Sequence, residues 1–276
     1  PPLGGLDLHR AGATRTVRAN FEDVDWVVGV LVAFVLTQIA FIVTSIYLHR
    51  TLAHRAIRLS RASTTACRAL VWLMTGICPR EWVAVHRKHH AFSDQEGDPH
   101  SPVLLGVWTV QWENPVLYRR VARNPTAVAR YARDLPPDRL DRLLFDHGWL
   151  GIAISAGVVT ALAGWEIMLV VAAVYGALYL GGSGAINAIG HHFGKRPYDN
   201  LATNNRWLAL LVAGEGLHNN HHAAPTSSRF SFTATEIDPA WLVIRLLVSL
   251  HLANLRHTMI RPRERSRPHT GAGARG

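Results

Sequence analysis

Three short clusters of histidine are the part of this sequence best suited to chemistry. They read HRTLAH, with His49 and His54; HRKHH, with His86, His89 and His90; and HNNHH, with His218, His221 and His222. In the second and third clusters the imidazoles stand three and four positions apart, so on a helix they project from one face. The five-residue separation in the first cluster turns about 140° on an ideal helix. Both of its histidines therefore point inward only if other elements wrap around the site.

The number of imidazoles predicts more than one metal ion. A tetrahedral zinc ion takes about four ligands, and the three clusters supply eight histidines. Two metal ions are therefore predicted, although imidazole suits iron, copper, zinc and nickel alike. The isolated histidines are interpreted as ordinary surface or core residues: His9, His147, His251, His257 and His269. Cys67 and Cys78 form no C-x-x-C motif and are predicted to be reduced and buried.

Composition and apolar runs predict the elements that must position these histidines. The chain has 276 residues, of which 49% are hydrophobic and 17% charged, with a net charge of +10. This mixture favours a membrane protein with basic faces over a soluble globule. Residues 26–48 contain no formal charge and are long enough to cross a bilayer, whereas 69–78 is too short to span. Residues 148–164 and 167–189 predict a transmembrane hairpin, and the fold class is an all-α integral membrane protein.

Basic residues predict the orientation of these spans. Residues 49–147 hold fifteen Lys or Arg and residues 191–276 hold eleven, so both polar segments are expected to face the cytoplasm. One pass followed by a two-pass hairpin returns the chain to the same side, which agrees with the charge. Because the histidine clusters fall in these segments or at their membrane borders, we expect a cytoplasmic helical cap that carries them around a dimetal site.

The remaining segments divide the chain into three parts. We expect a polar N-terminal segment at 1–25, a membrane domain at 26–256, and a basic, disordered tail at 257–276. Within the domain, 106–147 predicts amphipathic helices broken near Pro136 and Pro137, and 240–256 predicts one more amphipathic helix.

The sequence resembles the membrane fatty acid desaturases, specifically the stearoyl-CoA (delta-9) type. The resemblance covers 26–232 and rests on HRTLAHRAI, WVAVHRKHHAFSDQEGDPHSP and GEGLHNNHHAAPTSSRFS, which contain the three histidine clusters and resemble the family's first, second and third histidine boxes. Before the third box, NAIGHHFGKRPYDN is similar to the family's N-x3-H followed by G-x-RPYD. Histidine boxes alone are shared with hydroxylases, whereas the RPYD element and GEG-x-HNNHH are much more specific.

The resemblance implies a set of metal ligands and supporting groups. The implied ligands are His49, His54, His86, His89, His90, His191, His218, His221 and His222, with Asn187 completing the site through a water. His191 keeps the spacing to Asn187 and to RPYD, but a ligand at His192 supported by His191 stays open. Glu215, Asp94, Asp98 and His100 resemble groups that support the ligands, since metal-bound imidazoles generally donate their other N–H to a carboxylate or carbonyl. Simple turn formation explains Asp98 equally well.

The resemblance also implies an activity. Two ferrous ions and O2 would remove two hydrogens from a saturated acyl chain and leave a cis double bond, because side chains alone lack such an oxidant. Electrons would come from a separate protein such as a ferredoxin, a cytochrome b5-like protein or a reductase. By the same resemblance, Trp82 is a candidate residue in the wall of a tunnel for the acyl chain, although an anchor at the membrane interface is an equally good interpretation.

The head group of the substrate is less clear from the sequence. Cations near the predicted site favour the phosphates of acyl-CoA, with Arg196 as a candidate substrate residue. These cations are Arg50, Arg55, Arg58, Arg61, Arg80, Arg87, Lys88, Lys195 and Arg196. Positive-inside topology and contact with anionic lipids predict a similar excess, so acyl-lipid and carrier-protein substrates stay open. Nucleic-acid binding is not expected, because the charge follows the membrane pattern and no recognition motif occurs.

Two rival functions and one departure from the family complete the interpretation. A related membrane diiron hydroxylase or ketolase would use the same kind of histidine-bound metal centre but would insert oxygen into its substrate. A metal transporter or chaperone would place ionisable ligands within its spans, whereas these spans hold none except at their edges. Relatives usually carry two passes before the first box, and only 26–48 qualifies here. We expect that the first pass either lies upstream of residue 1 or is absent from this member.

Overall fold

The computed structural model describes residues 26–260 and 262. The polar segment predicted at 1–25 and most of the predicted basic tail lie outside these described residues. The helices are α1 Trp26–Val43, α2 Arg61–Thr75, α3 Pro79–Phe92, α4 Pro102–Leu105, α5 Val107–Ala122, α6 Pro125–Tyr131, α7 Gly148–Ala163, α8 Trp165–Ala188, α9 Arg206–Leu211, α10 His218–Ala223 and α11 Pro239–Ser249. Two π-helical segments, Thr44–Ala53 and Asp141–Phe145, a 3-10 turn at Ile189–His191 and two strands, β1 Ile57–Leu59 and β2 Ala253–Leu255, complete the described elements.

Two of the described helices are long and apolar enough to cross a membrane. The first is Trp26–Ala53, in which α1 continues without a break into the π-helical segment; the second is Trp165–His191. The predicted spans at 26–48 and 167–189 are thus supported by length and composition, and each helix extends beyond its predicted end. Helix α7 has 16 residues, about 24 Å, which is shorter than the hydrocarbon core of about 30 Å. Length therefore supports only the second arm of the predicted hairpin as a span.

The histidine boxes lie on elements that meet at one end of the two spans. HRTLAH occupies the π-helical segment, HRKHH lies in α3, and HNNHH forms most of α10. Helix α3 packs against the π-helical segment, α5 and α6, while α10 packs against the 3-10 turn that ends the second span. The predicted break of 106–147 is also present, because residues 132–140 separate α6 from the next helical turn. All boxes are therefore carried by helical elements.

A two-stranded ribbon corrects two expectations. Strand β1 pairs antiparallel with β2, with Ile57 opposite Leu255 and Leu59 opposite Ala253. The fold is therefore mostly helical rather than all-α. The helix predicted at 240–256 is wrong in its second half: α11 ends at Ser249, and His251 has a positive φ of 57° that turns the chain into β2. Residues 257 and 258 then accept backbone hydrogen bonds from 228 and 229, so the start of the predicted disordered tail is hydrogen-bonded to the domain.

The second span approaches helix α5 closely at one of its glycines. In α8, a Cβ added at Gly184 would overlap the backbone oxygen of Gln111 in α5, whereas a Cβ at Gly181 would meet nothing within 4 Å. Of these two glycines, only Gly184 allows the close helix approach expected of small residues in membrane helices. The position of α5 against the second span depends on this contact.

We expect Gly184→Ala to destabilise the protein by about 1–3 kcal/mol, because an extra carbon in a packed contact forces the backbones apart. Gly181→Ala is the matched control, and it should be neutral or stabilising by up to about 1 kcal/mol, since Ala is the better helix former. Thermal unfolding of the purified variants in detergent measures both. Equal melting temperatures for the two variants would contradict the packing described.

Candidate metal centre

Nitrogen atoms from nine histidines converge in two groups. Within each group the ligand-type atoms all lie within 4.8 Å of one another. The first group contains His49, His54, His86, His90 and His221, and the second contains His89, His191, His218 and His222. These are the nine histidines that the sequence predicts as ligands. His192, the open alternative to His191, is exposed and belongs to neither group.

The first box reaches the centre because its backbone is π-helical. The N–H of His54 donates to the carbonyl of His49 at 3.1 Å, a bond that spans five residues. A π-helix makes such i→i+5 bonds, so residues five apart return to the same face. The two imidazole centroids are accordingly 4.9 Å apart. The turn of about 140° predicted from an ideal α-helix is therefore wrong, because the local backbone is not an α-helix.

Helices α3 and α10 each contribute to both groups. His86 and His90 of α3 point to the first group and His89 to the second, while α10 supplies His221 to the first and His218 with His222 to the second. Imidazoles three and four positions apart lie on one face, as expected, but they diverge enough to serve neighbouring centres. The rings of His90 and His222 stack at 4.4 Å, which joins the two groups side by side.

Three buried carboxylates fix the orientation of three imidazoles. Nδ1 of His49 lies 2.7 Å from Glu215, Nδ1 of His191 lies 2.7 Å from Asp94, and Nδ1 of His89 lies 3.0 Å from Asp98. A neutral imidazole carries one N–H, and a carboxylate facing Nδ1 holds it there. The Nε2 lone pair of each ring is then free to point into its group. This is how protein carboxylates support metal-bound histidine.

The crowding of these nitrogens fits bound cations. Nε2 of His221 lies 3.0 Å from Nε2 of His49 and 2.9 Å from Nε2 of His90. Nε2 of His49 has no proton to donate, because its proton is held at Nδ1, and a single N–H on His221 can serve only one neighbour. Nε2 of His191 is buried and has no hydrogen-bond partner among the described residues. A cation in each group would satisfy these lone pairs, and imidazole suits iron as well as copper or zinc.

Burial keeps imidazoles of the first histidine group neutral, which is the form that can bind a metal ion. It lowers the pKa of His86, His90 and His221 well below the ordinary value of 6.5, and the neighbouring histidines lower it further. A metal ligand must be neutral imidazole, so these groups need no deprotonation near neutral pH.

The predicted supporting groups differ in what they do. Burial is the largest single effect and raises the pKa of Asp98, but the hydrogen bond and charge of His89, together with the charge and backbone N–H of His100, outweigh it and lower the pKa to about 2. Asp98 also accepts from the backbone N–H groups of Asp94 and His100, so it both closes the turn and contacts His89. The ring of His100 packs on His89 at 4.6 Å, but neither of its nitrogens has a hydrogen-bond partner among the described residues.

The two asparagines of HNNHH hold the third box in place, a role that the sequence interpretation missed. Asn219 accepts from the backbone N–H of Tyr198 and donates to Ala202 and Asn200. Asn220 donates to the carbonyl of Phe230 and to Glu236. Both side chains are buried, and together they tie α10 to the RPYD loop and to the segment after the box. The available signal in the sequence was the pair of polar residues between the histidines of HNNHH.

A cavity of about 540 Å³ opens beside the histidines. His49, His86 and His218 line it, together with apolar groups from both spans, such as Phe41 and Leu180. Trp82 is part of its wall and stacks on His86 at 4.8 Å, and its role as a tunnel residue stays a prediction. Cavities that bind apolar ligands are largely hydrophobic with a few placed polar groups, and this one has that character.

Several cations assigned to the head group serve the fold instead. Arg50 is completely buried, pairs with Asp238 at 2.9 Å and lies 3.8 Å over the ring of Phe230. Arg55 and Arg87 both pair with Asp134. These partners are distant in the chain, so a count of local charge cannot reveal them.

Arg196 also lies away from the cavity. It is exposed, and its guanidinium donates to the backbone carbonyls of Leu201 and His191. By contrast, Arg119 and Arg123 line the cavity, are exposed, and form no salt bridge with any described residue. They are the better candidates for contact with an anionic group.

Comparisons with known proteins agree with this architecture. The family described as "Fatty acid desaturase" matches residues 25–236. The chain is 31% identical to the sn-1 stearoyl-lipid 9-desaturase of Anabaena variabilis, over 74% of this chain and 75% of that protein. It is 31% identical to the acyl-CoA C20 Delta5-desaturase of Anemone leveillei, over 76% of this chain and 67% of that protein.

A third relative differs in its named reaction and carrier. The hex-5-enoyl-[acyl-carrier protein] acetylenase of Moorena producens is 30% identical, over 82% of this chain and 75% of that protein. These three relatives are named for a lipid, an acyl-CoA and an acyl-carrier protein, and all act on fatty acyl chains by name. The matched range contains all three histidine boxes and the RPYD element. The chain therefore belongs to the fatty acid desaturase family and is an oxidoreductase that acts on fatty acyl chains.

Proposed function

We propose that this protein is an O2-dependent desaturase that introduces a cis double bond into a saturated acyl chain at a non-haem diiron centre. The observation that carries the proposal is the pair of histidine groups beside an apolar cavity. The five histidines of the first group would hold one iron and the four of the second group the other. Nδ2 of Asn187 donates to Asn114 at 2.8 Å, which leaves the carbonyl oxygen of Asn187 free to hold a water beside the second group.

The reaction balances with one external reductant. Two hydrogens leave neighbouring carbons of the chain, a separate donor protein supplies two electrons, solvent supplies two protons, and O2 becomes two waters. The irons supply the activation of O2 that the unactivated C–H bonds require. The residues of the chain do the rest: Trp82 and the apolar wall hold the acyl chain against His86, and Glu215, Asp94 and Asp98 orient the ligands.

The substrate is proposed to be an acyl-CoA with its double bond formed at a delta-9-like position. Arg119 and Arg123 support an anionic carrier, because guanidinium groups bind phosphate in charge-assisted pairs. An acyl-lipid would present a phosphate to the same arginines and is the alternative carrier. The membrane spans suit either, since both substrates partition to the bilayer surface.

The centre is proposed to face the cytoplasm. The histidine elements belong to the two segments that carry most of the basic residues, and cytoplasmic segments of membrane proteins carry that excess. A ferredoxin, a cytochrome b5-like protein or a reductase would deliver electrons from that side.

Acyl-chain profiling tests the reaction directly. Expressed with an electron donor in a host that cannot desaturate, the protein should yield new monounsaturated chains, and a His221→Ala variant should yield none, because His221 belongs to the first histidine group. Mass spectrometry of the total fatty acids measures the product and its double-bond position. Hydroxylated or keto chains in place of unsaturated ones would move the assignment to a membrane hydroxylase or ketolase.

Iron content separates the two candidates for the ninth ligand. His191→Ala should lose about one of two irons per chain, because the second group has only four histidines and His191 is one of them. His192→Ala is the matched control: its side chain is exposed and adjacent, and this variant should keep both irons. Elemental analysis of the purified variants measures iron per chain. Loss of iron in His192→Ala alone would reverse the assignment.

Chelator competition tests the supporting carboxylates. Asp94→Asn should weaken iron binding about 10- to 100-fold, the usual effect of removing a carboxylate behind a metal-bound histidine. Glu96→Gln removes a nearby exposed carboxylate and should leave the affinity unchanged. Equal iron retention by the two variants would show that Asp94 does not support a ligand.

A further inference from the structure

Tyr118 lines the cavity, and its hydroxyl oxygen is buried. Its Oη is shielded from solvent and has no hydrogen-bond partner among the described residues. A buried hydroxyl without a partner loses its hydrogen bonds to water and gains nothing in return. Val85, Val121 and Ala122 pack around the residue and offer no acceptor side chain. The pattern is expected of a hydroxyl whose acceptor arrives with a ligand.

Helix α5 places Tyr118 between the two ends of this stretch of the cavity. Asn114, Tyr118 and Arg123 all line the cavity from α5. Asn114 accepts a hydrogen bond from Asn187, and both line the cavity together with His218 of the second histidine group, whereas Arg123 lies about 13 Å further along the helix axis. Tyr118 is one turn, about 6 Å, from Asn114. The order along the helix is therefore oxidising centre, hydroxyl, cation.

An acyl substrate has its polar groups in the same order. The carbons to be oxidised are followed by an apolar stretch, then by the carbonyl of the thioester or ester, and then by the charged carrier. The carbonyl is an acceptor without a donor of its own, so it needs a partner such as a hydroxyl. Burial raises the pKa of Tyr118 well above 10, with smaller contributions from Glu81 and Cys78, so its hydroxyl stays protonated and available as a donor.

We propose that Tyr118 donates a hydrogen bond to the acyl carbonyl of the substrate and thereby fixes which carbons lie beside the histidine groups. This inference rests on the proposed function, since it assumes that the cavity holds an acyl chain. It assigns Tyr118 as a specificity-determining residue for the position of the double bond. The carbonyl is common to acyl-CoA and acyl-lipid, so the experiment uses both.

Binding of matched probes tests the contact without turnover. The probes are stearoyl-CoA with its thioether counterpart, and a phospholipid carrying an sn-1 stearoyl ester with its sn-1 ether counterpart. In whichever pair binds, the unmodified iron-loaded protein should prefer the carbonyl member by about 2- to 12-fold, the range of a net hydrogen bond. Tyr118→Phe should lose this preference. Tyr131→Phe, which alters a tyrosine outside the cavity lining, should keep it.

The position of the double bond is the second measurement. Tyr118→Phe should retain two irons per chain but give a mixture of positions where the unmodified protein gives one. The inference is overturned if the unmodified protein shows no carbonyl preference, if Tyr118→Phe keeps that preference, or if neither probe pair binds. Tyr118-dependent binding without any unsaturated product would leave the contact standing and refute the proposed function. A single unchanged product from Tyr118→Phe would refute the contact alone.

Discussion

The hydrogen bonds from His49, His89 and His191 to three buried carboxylates are the interaction on which the rest of the centre depends. Nine imidazoles can share one small volume only if their lone pairs, rather than their protons, face inward. Each carboxylate achieves this by holding a proton at Nδ1. Burying a carboxylate is unfavourable unless it is fully hydrogen-bonded. Ser45 therefore donates to Glu215, and Ser101 donates to Asp94. These hydrogen bonds constrain the positions of the backbone segments that carry the two serines.

The members of the two histidine groups were predictable from the sequence because the histidine clusters are local and chemically distinctive. All nine predicted histidines lie in the two groups, and Asp94, Asp98 and Glu215 stand behind three of them. The geometry of the first box was not readable, because an i→i+5 backbone leaves no periodic signature in a ten-residue segment. An ideal α-helix was assumed for His49 and His54, and the assumption failed because this segment is π-helical.

Long-range pairing accounts for most other differences. Arg50 was interpreted as one of the cations near the site that favour the phosphates of acyl-CoA, but it pairs with Asp238, 188 residues away. The region around Leu255 was expected to be helical, and its pairing with Ile57 decides otherwise. Local propensity cannot report either contact, because tertiary packing overrides it. The long apolar runs at 26–48 and 167–189, whose signals are continuous over many residues, were predicted closely.

The division between a shared centre and an individual cavity explains how one family performs related reactions. Relatives of this chain are named for double bonds at positions 9 and 5 and for different acyl carriers. In the proposed function the histidine groups would hold the irons, so selection among these positions and carriers would fall to other residues that line the cavity. Selection requires a fixed distance between that end and a polar group of the substrate. In the proposal made above, helix α5 would supply such a distance, because Asn114, Tyr118 and Arg123 all belong to it or end it. The proposal therefore expects double-bond position and carrier choice to vary with the cavity-lining residues of this helix and not with the histidines.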